Sequence, residues 1–397
     1  MESQLLINKH ILLCLDNFEN TELEYLKKHF CGTFMSEVNN DISNDQIIYM
    51  CGNINQTYDK IKHLHNNRIY VIKELSNNYT ICSEYNIITL GQVPININNV
   101  GVMFRQLFVN PDKNYFESIK SEHTFQSLTE SNKQDMALRK GIYLTDVTED
   151  ENGLHYKLLR CSSNLNGPTD NFRTTDREIL NILNNVSKHF FDQNTEFNHV
   201  LAQVYENTDQ GKAKIKAHSD KTKDMPRNGL MAFCTFYDSV MNGNTKKIKQ
   251  SKVNMFDYCY NDTSVLTKLH FRLKASVTDP NLVREFDVIL YPNSVFIMSL
   301  WANRLYTHDI RPSALPADKI PTRMGYVVRC SKTNAVYKDG QTYISDKNGL
   351  THMRKMTDDD IEDIRKLYFN ENITDHFVEY GNVYYSMNGG DYMKPNI

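Results

Sequence analysis

Between Phe197 and Cys330 the chain reads as eight short apolar runs punctuated by turn residues, and this rhythm limits the folds open to it. The runs are Val200–Tyr205, Ile215–His218, Leu230–Tyr237, Val265–Leu273, Phe286–Leu290, Ser294–Leu300, Leu305–Ile310 and Met324–Cys330. Eight such strands are what a double-sheet jelly roll needs. Ahead of them lies the strongest helix of the chain, Thr175–Phe190, where Ile179, Leu180, Ile182, Leu183, Val186 and Phe190 recur at helical spacing. Thr175 and Glu178 predict a capping box at its start. The expected class is α+β: a strand-rich core with flanking helices.

The first 95 residues have a different rhythm. His10–Leu15, Gln46–Cys51 and Arg68–Lys73 read as strands, while Glu22–Phe30, Thr57–His65 and a stretch to about Tyr85 read as helices. Such alternation predicts a small parallel α/β domain over 1–95. Its order, length and ending around Cys82 resemble a BRCT module, which implies an interaction domain with a protein partner. The aromatic residue usual in the last helix of that family is absent, so a generic α/β domain stands beside it. Residues from about Pro94 to Gln134 show no clear period, and 96–135 are expected to link the domains or pack between them. Gly141–Leu144 and His155–Arg160 read as two strands around an acidic turn. Residues 336–397 are expected to form a polar, tyrosine-rich extension with one helix, Asp358–Tyr368, capped by Thr357.

Length and composition fit a folded protein of more than one domain: 397 residues, 40% hydrophobic and 23% charged. No apolar run approaches the roughly 20 residues that cross a bilayer, and an acid, Glu2, stands where a secretory signal carries positive charge. An intracellular protein with no membrane partner is expected. The eight cysteines have no C-x-x-C pair and several sit in apolar runs, which predicts buried free thiols over disulfides or a zinc site. The net charge is −3, but 13 Lys and Arg face only five Asp between Gly211 and Lys274. That surplus reads either as a phosphate-attracting surface or as a solvated lysine-rich loop.

His218-Ser219-Asp220 is the only H-x-D of the sequence. On an extended strand, residues i and i+2 project to one side, so an imidazole and a carboxylate can share a cation. His308, 90 positions on, follows another strand and would complete a set of two histidines and one carboxylate. Such a set occupies one face of an octahedron and leaves positions open for substrates. Arg323 and Arg329, six apart on a predicted strand, would face one side, and such a guanidinium can hold a dicarboxylate by paired hydrogen bonds.

Together these segments resemble the AlkB-type group of 2-oxoglutarate dioxygenases. Phe197–Asp220 is similar to that group's N-x-Y strand, polar turn and H-x-D; Asn293–Ile310 to its distal-histidine strand; and Arg323–Arg329 to its R-x-N-x-T-x-R segment. The resemblance covers roughly 141–331 and implies a double-stranded β-helix dioxygenase domain over 136–335. It implies iron(II) bound by His218, Asp220 and His308, with 2-oxoglutarate and dioxygen as co-reactants. Tyr205 and Arg323 would bind the distal carboxylate of 2-oxoglutarate, with Arg329 near its other carboxylate or the iron face. Three positions depart from the pattern: Gln203 replaces the usual Asn, and Gly325 and Val327 fill the middle of the arginine segment. The long gap between the histidines predicts an insertion near Met241–Asn261.

Enzymes of this group usually act on alkylated bases of DNA or RNA, which implies oxidative dealkylation or hydroxylation of a nucleic-acid base. Tyr143, His155, Tyr156 and Arg160, with Lys216 in the lysine-rich stretch, are candidates for contacting such a substrate; equally, the aromatics read as an extra layer of core. Two other readings stay open: a hydroxylase of the same chemistry acting on protein or a small molecule, and an inactive jelly roll serving interaction alone.

Overall fold

The structure is a computed structural model that describes residues 4–16, 18–38, 42–54, 64, 68–77, 79, 85–129, 136–161, 165–192, 195–209, 211–238 and 248–397. It is a mixed α/β fold dominated by sheet. All eight predicted core strands form, with ends displaced by no more than three residues. The first, eighth, third and sixth lie side by side as His199–Tyr205, Arg323–Arg329, Leu230–Tyr237 and Ser294–Ser299, every neighbour antiparallel. The second, seventh, fourth and fifth make a smaller sheet, as Ile215–His218, Tyr306–Arg311, Lys268–Leu273 and Glu285–Ile289.

The larger sheet is covered on both faces, which is why its strands read as continuous apolar runs. In Leu230–Tyr237 the residues Leu230, Ala232, Cys234 and Phe236 belong to one buried cluster, and Met231, Phe233 and Tyr237 to another. The first cluster includes Ile179, Leu183 and Phe190 of the helix Thr174–Phe190; the second includes Phe271 and Tyr306 of the smaller sheet. Met324, Tyr326 and Val328 point to the helix, so Arg323, Gly325, Val327 and Arg329 point between the sheets.

The predicted capping box does not form. The helix starts one residue early, at Thr174, so Asp176 occupies the third position and accepts from the Arg173 N–H at 2.7 Å. Thr175 donates its hydroxyl to Glu122 at 2.9 Å, and Glu178 pairs with Lys113 instead. Of residues 96–135, the described part, 96–129, packs against the core: Gly101–Phe104 and Gln126–Thr129 extend the larger sheet, and the helix Tyr115–Glu122 buries Tyr115, Phe116 and Ile119. Strands of four residues are too short to display a period. Between the third and fourth core strands a small antiparallel sheet, Ile248–Gln250, Tyr258–Tyr260 and Thr263–Ser264, falls where the insertion is expected; 239–247 lie outside the described residues.

Near the N-terminus, five parallel strands lie in the order Thr33–Met35, His10–Cys14, Ile47–Asn53, Arg68–Asn77 and Asn86–Ile88. The predicted first helix forms as Thr21–His29, its Asn20 cap accepting from the N–H groups of Glu22 and Leu23. The helix expected over Thr57–His65 lies outside the described residues except for Leu64, as do Cys82 and most of the stretch before Tyr85. This sheet is seated on the rest of the chain, for the His10 ring stacks on Phe190 at 4.1 Å and Arg105 pairs with Glu22 at 2.8 Å.

After the core, the chain departs from a one-helix extension. Thr333–Lys338, Gln341–Asp346 and Gly349–His352 join Gly153–Leu158 and Thr148–Asp150 in a separate antiparallel sheet before the helix Asp358–Ile373 begins. Thr357 caps that helix as expected, sharing a capping box with Asp360. Among the described residues the seven cysteines are free thiols, and no helix is long and apolar enough to cross a membrane.

Candidate metal centre and adjoining pocket

His218 ends its strand directly opposite His308 on Tyr306–Arg311, with the ring centroids 4.6 Å apart. The strand stops there, so Asp220 does not join His218 by strand alternation as the spacing predicts. It lies in the following turn, where Asn303 grips its backbone: the Asp220 N–H donates to Asn303 Oδ1 at 2.9 Å, and Asn303 Nδ2 donates to the Asp220 carbonyl at 3.0 Å. Asp220 Oδ1 lies 3.4 Å from His218 Nε2 and 3.7 Å from His308 Nε2. One ligand atom from each residue falls within 4.8 Å of the others, a grouping that can hold a metal ion.

Each side chain is prepared for that role. His218 Nδ1 is 2.9 Å from the Lys216 carbonyl, and donating there leaves the Nε2 lone pair toward Asp220. His308 is buried against Phe233 and Phe271, at ring distances of 5.4 and 5.8 Å. Burial above all pushes its pKa down to about 3, so the ring is neutral. Burial works against ionisation of Asp220, but the Arg329 guanidinium outweighs it and holds the carboxyl well below its ordinary range. Arg329 meets the other oxygen, Oδ2, through Nη2 at 2.5 Å and Nε at 2.7 Å.

The turn itself is held by a helix whose role the sequence does not announce. Asn372 Oδ1 accepts from the Ser219 N–H at 2.8 Å and from Lys221 Nζ at 2.9 Å. Glu371 accepts from the N–H and hydroxyl of Thr222 and from the Tyr380 hydroxyl. Lys274 Nζ closes the far side, donating to the carbonyls of Glu371 and Thr374 at 2.6 and 3.0 Å. The only sequence signal for these contacts is a polar last turn, Asn370-Glu371-Asn372, on an otherwise amphipathic helix.

Deeper between the sheets, Tyr205 and Arg323 are cross-strand partners, with the guanidinium 4.0 Å from the phenol ring. Gln203, one pair further along, accepts from the Tyr205 hydroxyl at 3.0 Å. Gly325 faces Gln203 across the strands, and a Cβ there would stand 2.9 Å from Arg323 Nη1 and 3.2 Å from Tyr205 Cε2. The missing side chain therefore makes room for the arginine and the phenol. Among the described residues, Arg323 Nε and Nη2, Arg329 Nη1 and the Thr235 and Ser294 hydroxyls are buried with no hydrogen-bond partner. Thr235 pairs across with both Gly325 and Ser294, so these orphaned atoms share one face. Unpaired buried polar groups are costly, and this density of them marks a place for a polar ligand.

The substrate candidates fare differently. Tyr143 is buried, with its hydroxyl 3.2 Å from Cys161 Sγ and its ring edge-on to His199. Tyr156 lies in the core of the separate C-terminal sheet, 3.4 Å from the Thr342 hydroxyl, and not at a surface. Arg160 is also inside: Nη2 and Nε bind Asp224 at 2.6 and 3.1 Å, and Nη1 binds the carbonyls of Val383 and Tyr385. Its charge is matched inside the fold by Asp224. His155 is part-exposed and pairs with Asp150 at 2.8 Å. Lys216 is exposed beside His218. The lysine surplus is also thinner outside than its count suggests, because Lys223 and Lys274 are buried and Lys221 is bound to the last helix. Lys246 and Lys247 lie outside the described residues.

No protein-family model matches the chain, and no curated protein does. Among solved structures, it is similar to the one titled "The structure of OsALKBH1", with a TM-score of 0.34 and 10% identity over 58% of this chain and 97% of that one. It is also similar to the non-heme alpha ketoglutarate dependent epimerase SnoN from nogalamycin biosynthesis, with a TM-score of 0.33 and 9% identity over 60% of this chain and 82% of that one. Likeness at this level decides nothing about activity, and neither structure supports the BRCT resemblance. Function has to be read from the side chains.

Proposed function

We propose that the chain is an iron(II)- and 2-oxoglutarate-dependent dioxygenase whose eight core strands form a double-stranded β-helix. The observation that carries this reading is the convergence of His218, Asp220 and His308 beside a buried, unpaired Arg323. Two imidazoles and one carboxylate are a donor set suited to iron(II) with positions left open. The orphaned nitrogens of Arg323 suit a carboxylate that none of the described residues supplies. The division of the eight strands into one sheet ordered first, eighth, third, sixth and another ordered second, seventh, fourth, fifth supports the same fold.

In this reading His218, Asp220 and His308 hold the metal, and Arg329 keeps Asp220 ionised with one oxygen turned to the site. Arg323, with Tyr205 and Gln203, takes the distal carboxylate of 2-oxoglutarate. Phe233 and Phe271 exclude water from the buried side of His308. When bound, iron(II) and 2-oxoglutarate supply an oxidative decarboxylation that lets dioxygen hydroxylate a C–H bond. The side chain of His218 is 32% exposed whereas that of His308 is 4% exposed, so substrate approaches from the His218 side.

The proposed substrate is a nucleic-acid base, supported by the exposed Lys214 and Lys216 at that mouth. A protein or small-molecule substrate is the second reading, favoured by the inward turn of Arg160, Lys223 and Lys274. Anaerobic titration with iron(II) and then 2-oxoglutarate tests the chemistry: a metal-to-ligand charge-transfer band should appear and be absent in His308→Ala. A band that survives that substitution rejects the site. Turnover on methylated oligonucleotides with a steep salt dependence supports the base, and salt-independent turnover on other substrates supports the second reading.

A further inference from the structure

Arg139 occupies a place in this pocket that the sequence does not single out. Tyr205 pairs across the sheet with Arg323 on one side and with Arg139 of Met136–Thr145 on the other. Directly opposed residues of antiparallel strands point to the same face, so two guanidinium groups flank one phenol. Both arginines are buried, Arg139 at 7% exposure and Arg323 at 3%. Arg139 Nε, like Arg323 Nε and Nη2, has no hydrogen-bond partner among the described residues.

Other buried arginines of the chain have carboxylates. Arg160 has Asp224 at 2.6 Å, Arg329 has Asp220 at 2.5 Å, and Arg105 has Glu22 at 2.8 Å. Arg139 and Arg323 form no ion pair among the described residues. A buried cation without a counter-charge is strongly unfavourable, and two in one row compound the cost by repulsion. The neighbouring Glu206 supplies no counter-charge to this row, because it is part-exposed and paired with Lys140 at 3.1 Å. What this row lacks is an anion with room for two forks.

We propose that Arg139 is a second carboxylate-binding residue of the pocket, holding the distal carboxylate of the dicarboxylate cosubstrate together with Arg323. This rests on the dioxygenase reading above. It predicts selectivity: a 2-oxo acid without the distal carboxylate should gain nothing from Arg139.

The test is calorimetric binding to the anaerobic iron(II)-loaded full chain, using 2-oxoglutarate and 2-oxovalerate as the two probes. Arg139→Met should weaken 2-oxoglutarate about tenfold or more, as expected for loss of a hydrogen bond to a charged group, and shift 2-oxovalerate less than about twofold. The preference between the probes then collapses, an outcome that general loosening of the fold would not give. Arg139→Gln, nearly the same size and still a donor, serves if the methionine variant melts early. Equal weakening of both probes, or of neither, overturns the role of Arg139 while Arg323→Met still abolishes the preference. If the unaltered protein shows no metal-dependent binding of 2-oxoglutarate at all, the dioxygenase reading fails and this inference with it.

Discussion

Asp220 divides its two carboxylate oxygens between two tasks: Oδ2 is held by Arg329 at 2.5 and 2.7 Å, and Oδ1 is turned to His218 and His308. Arg329 is thus the standing counter-charge of a buried carboxylate in the metal-free chain. Arg329→Met should cost about 3–5 kcal/mol of stability without metal, because it strands Asp220 uncompensated. A divalent ion should restore part of that loss by supplying positive charge to the same group. Urea midpoints with and without metal check this, and an unchanged metal-free midpoint would refute the role given to Arg329.

The helix Asp358–Ile373 is a structural part of the proposed metal centre. Asn372 satisfies the N–H of Ser219, a residue 1% exposed, and so fixes the turn that presents Asp220. Asn372→Ala should leave that donor unpaired at a cost of about 1–3 kcal/mol. It should also weaken metal binding by about tenfold, the range typical of losing a group that orients a ligand. Calorimetric metal titration measures the second effect. A destabilised variant with unaltered metal affinity would show that the helix merely packs.

The core strands and the grouping of His218, Asp220 and His308 are legible in the sequence because of local signatures: apolar runs for the strands, and an H-x-D beside a turn. Arg323 and Arg329 are legible through strand alternation. What stays hidden is long-range pairing of charge. Nothing around Arg160 distinguishes an exposed arginine from one bound to Asp224, 64 residues on. The three strands after Ser331 are missed because their few apolar residues, such as Ala335, Val336 and Ile344, are scattered among polar ones and show no period. Arg139 is hidden for the same reason as Arg160, since its meaning depends on which strand lies beside it.

Gly325 stands where the resembled arginine segment carries Asn, and its surroundings explain the exchange. Gly325→Ala would put a methyl 2.9 Å from Arg323 Nη1 and 3.2 Å from Tyr205 Cε2. The guanidinium is the softer neighbour and should yield, so 2-oxoglutarate affinity should fall about tenfold with a stability change under roughly 1 kcal/mol. Binding titration and thermal melting separate the two. Unchanged affinity would mean that Arg323 does not touch the cosubstrate from its present position.

His123 gives the fold a pH limit on the alkaline side. It is clamped between two buried carboxylates, with Nδ1 2.7 Å from Asp170 and Nε2 2.8 Å from Asp176. Arg173 also reaches Asp170 at 3.0 Å, and the Tyr326 hydroxyl donates to Asp176 at 2.7 Å, tying the helix Thr174–Phe190 to the sheet. Burial alone would lower the pKa of His123, but the two aspartates prevail and raise it to about 9. A histidine raised from its ordinary 6.5 binds its proton more tightly in the folded chain than in the unfolded one. Its contribution, roughly 3 kcal/mol, is therefore complete below pH 6.5 and disappears as the pH climbs through 9. His123→Gln removes the proton linkage, so its urea midpoint should lie below that of the unaltered chain at pH 6 and vary less between pH 6 and 10. Parallel pH profiles for the two proteins would show that His123 is neutral in the folded state.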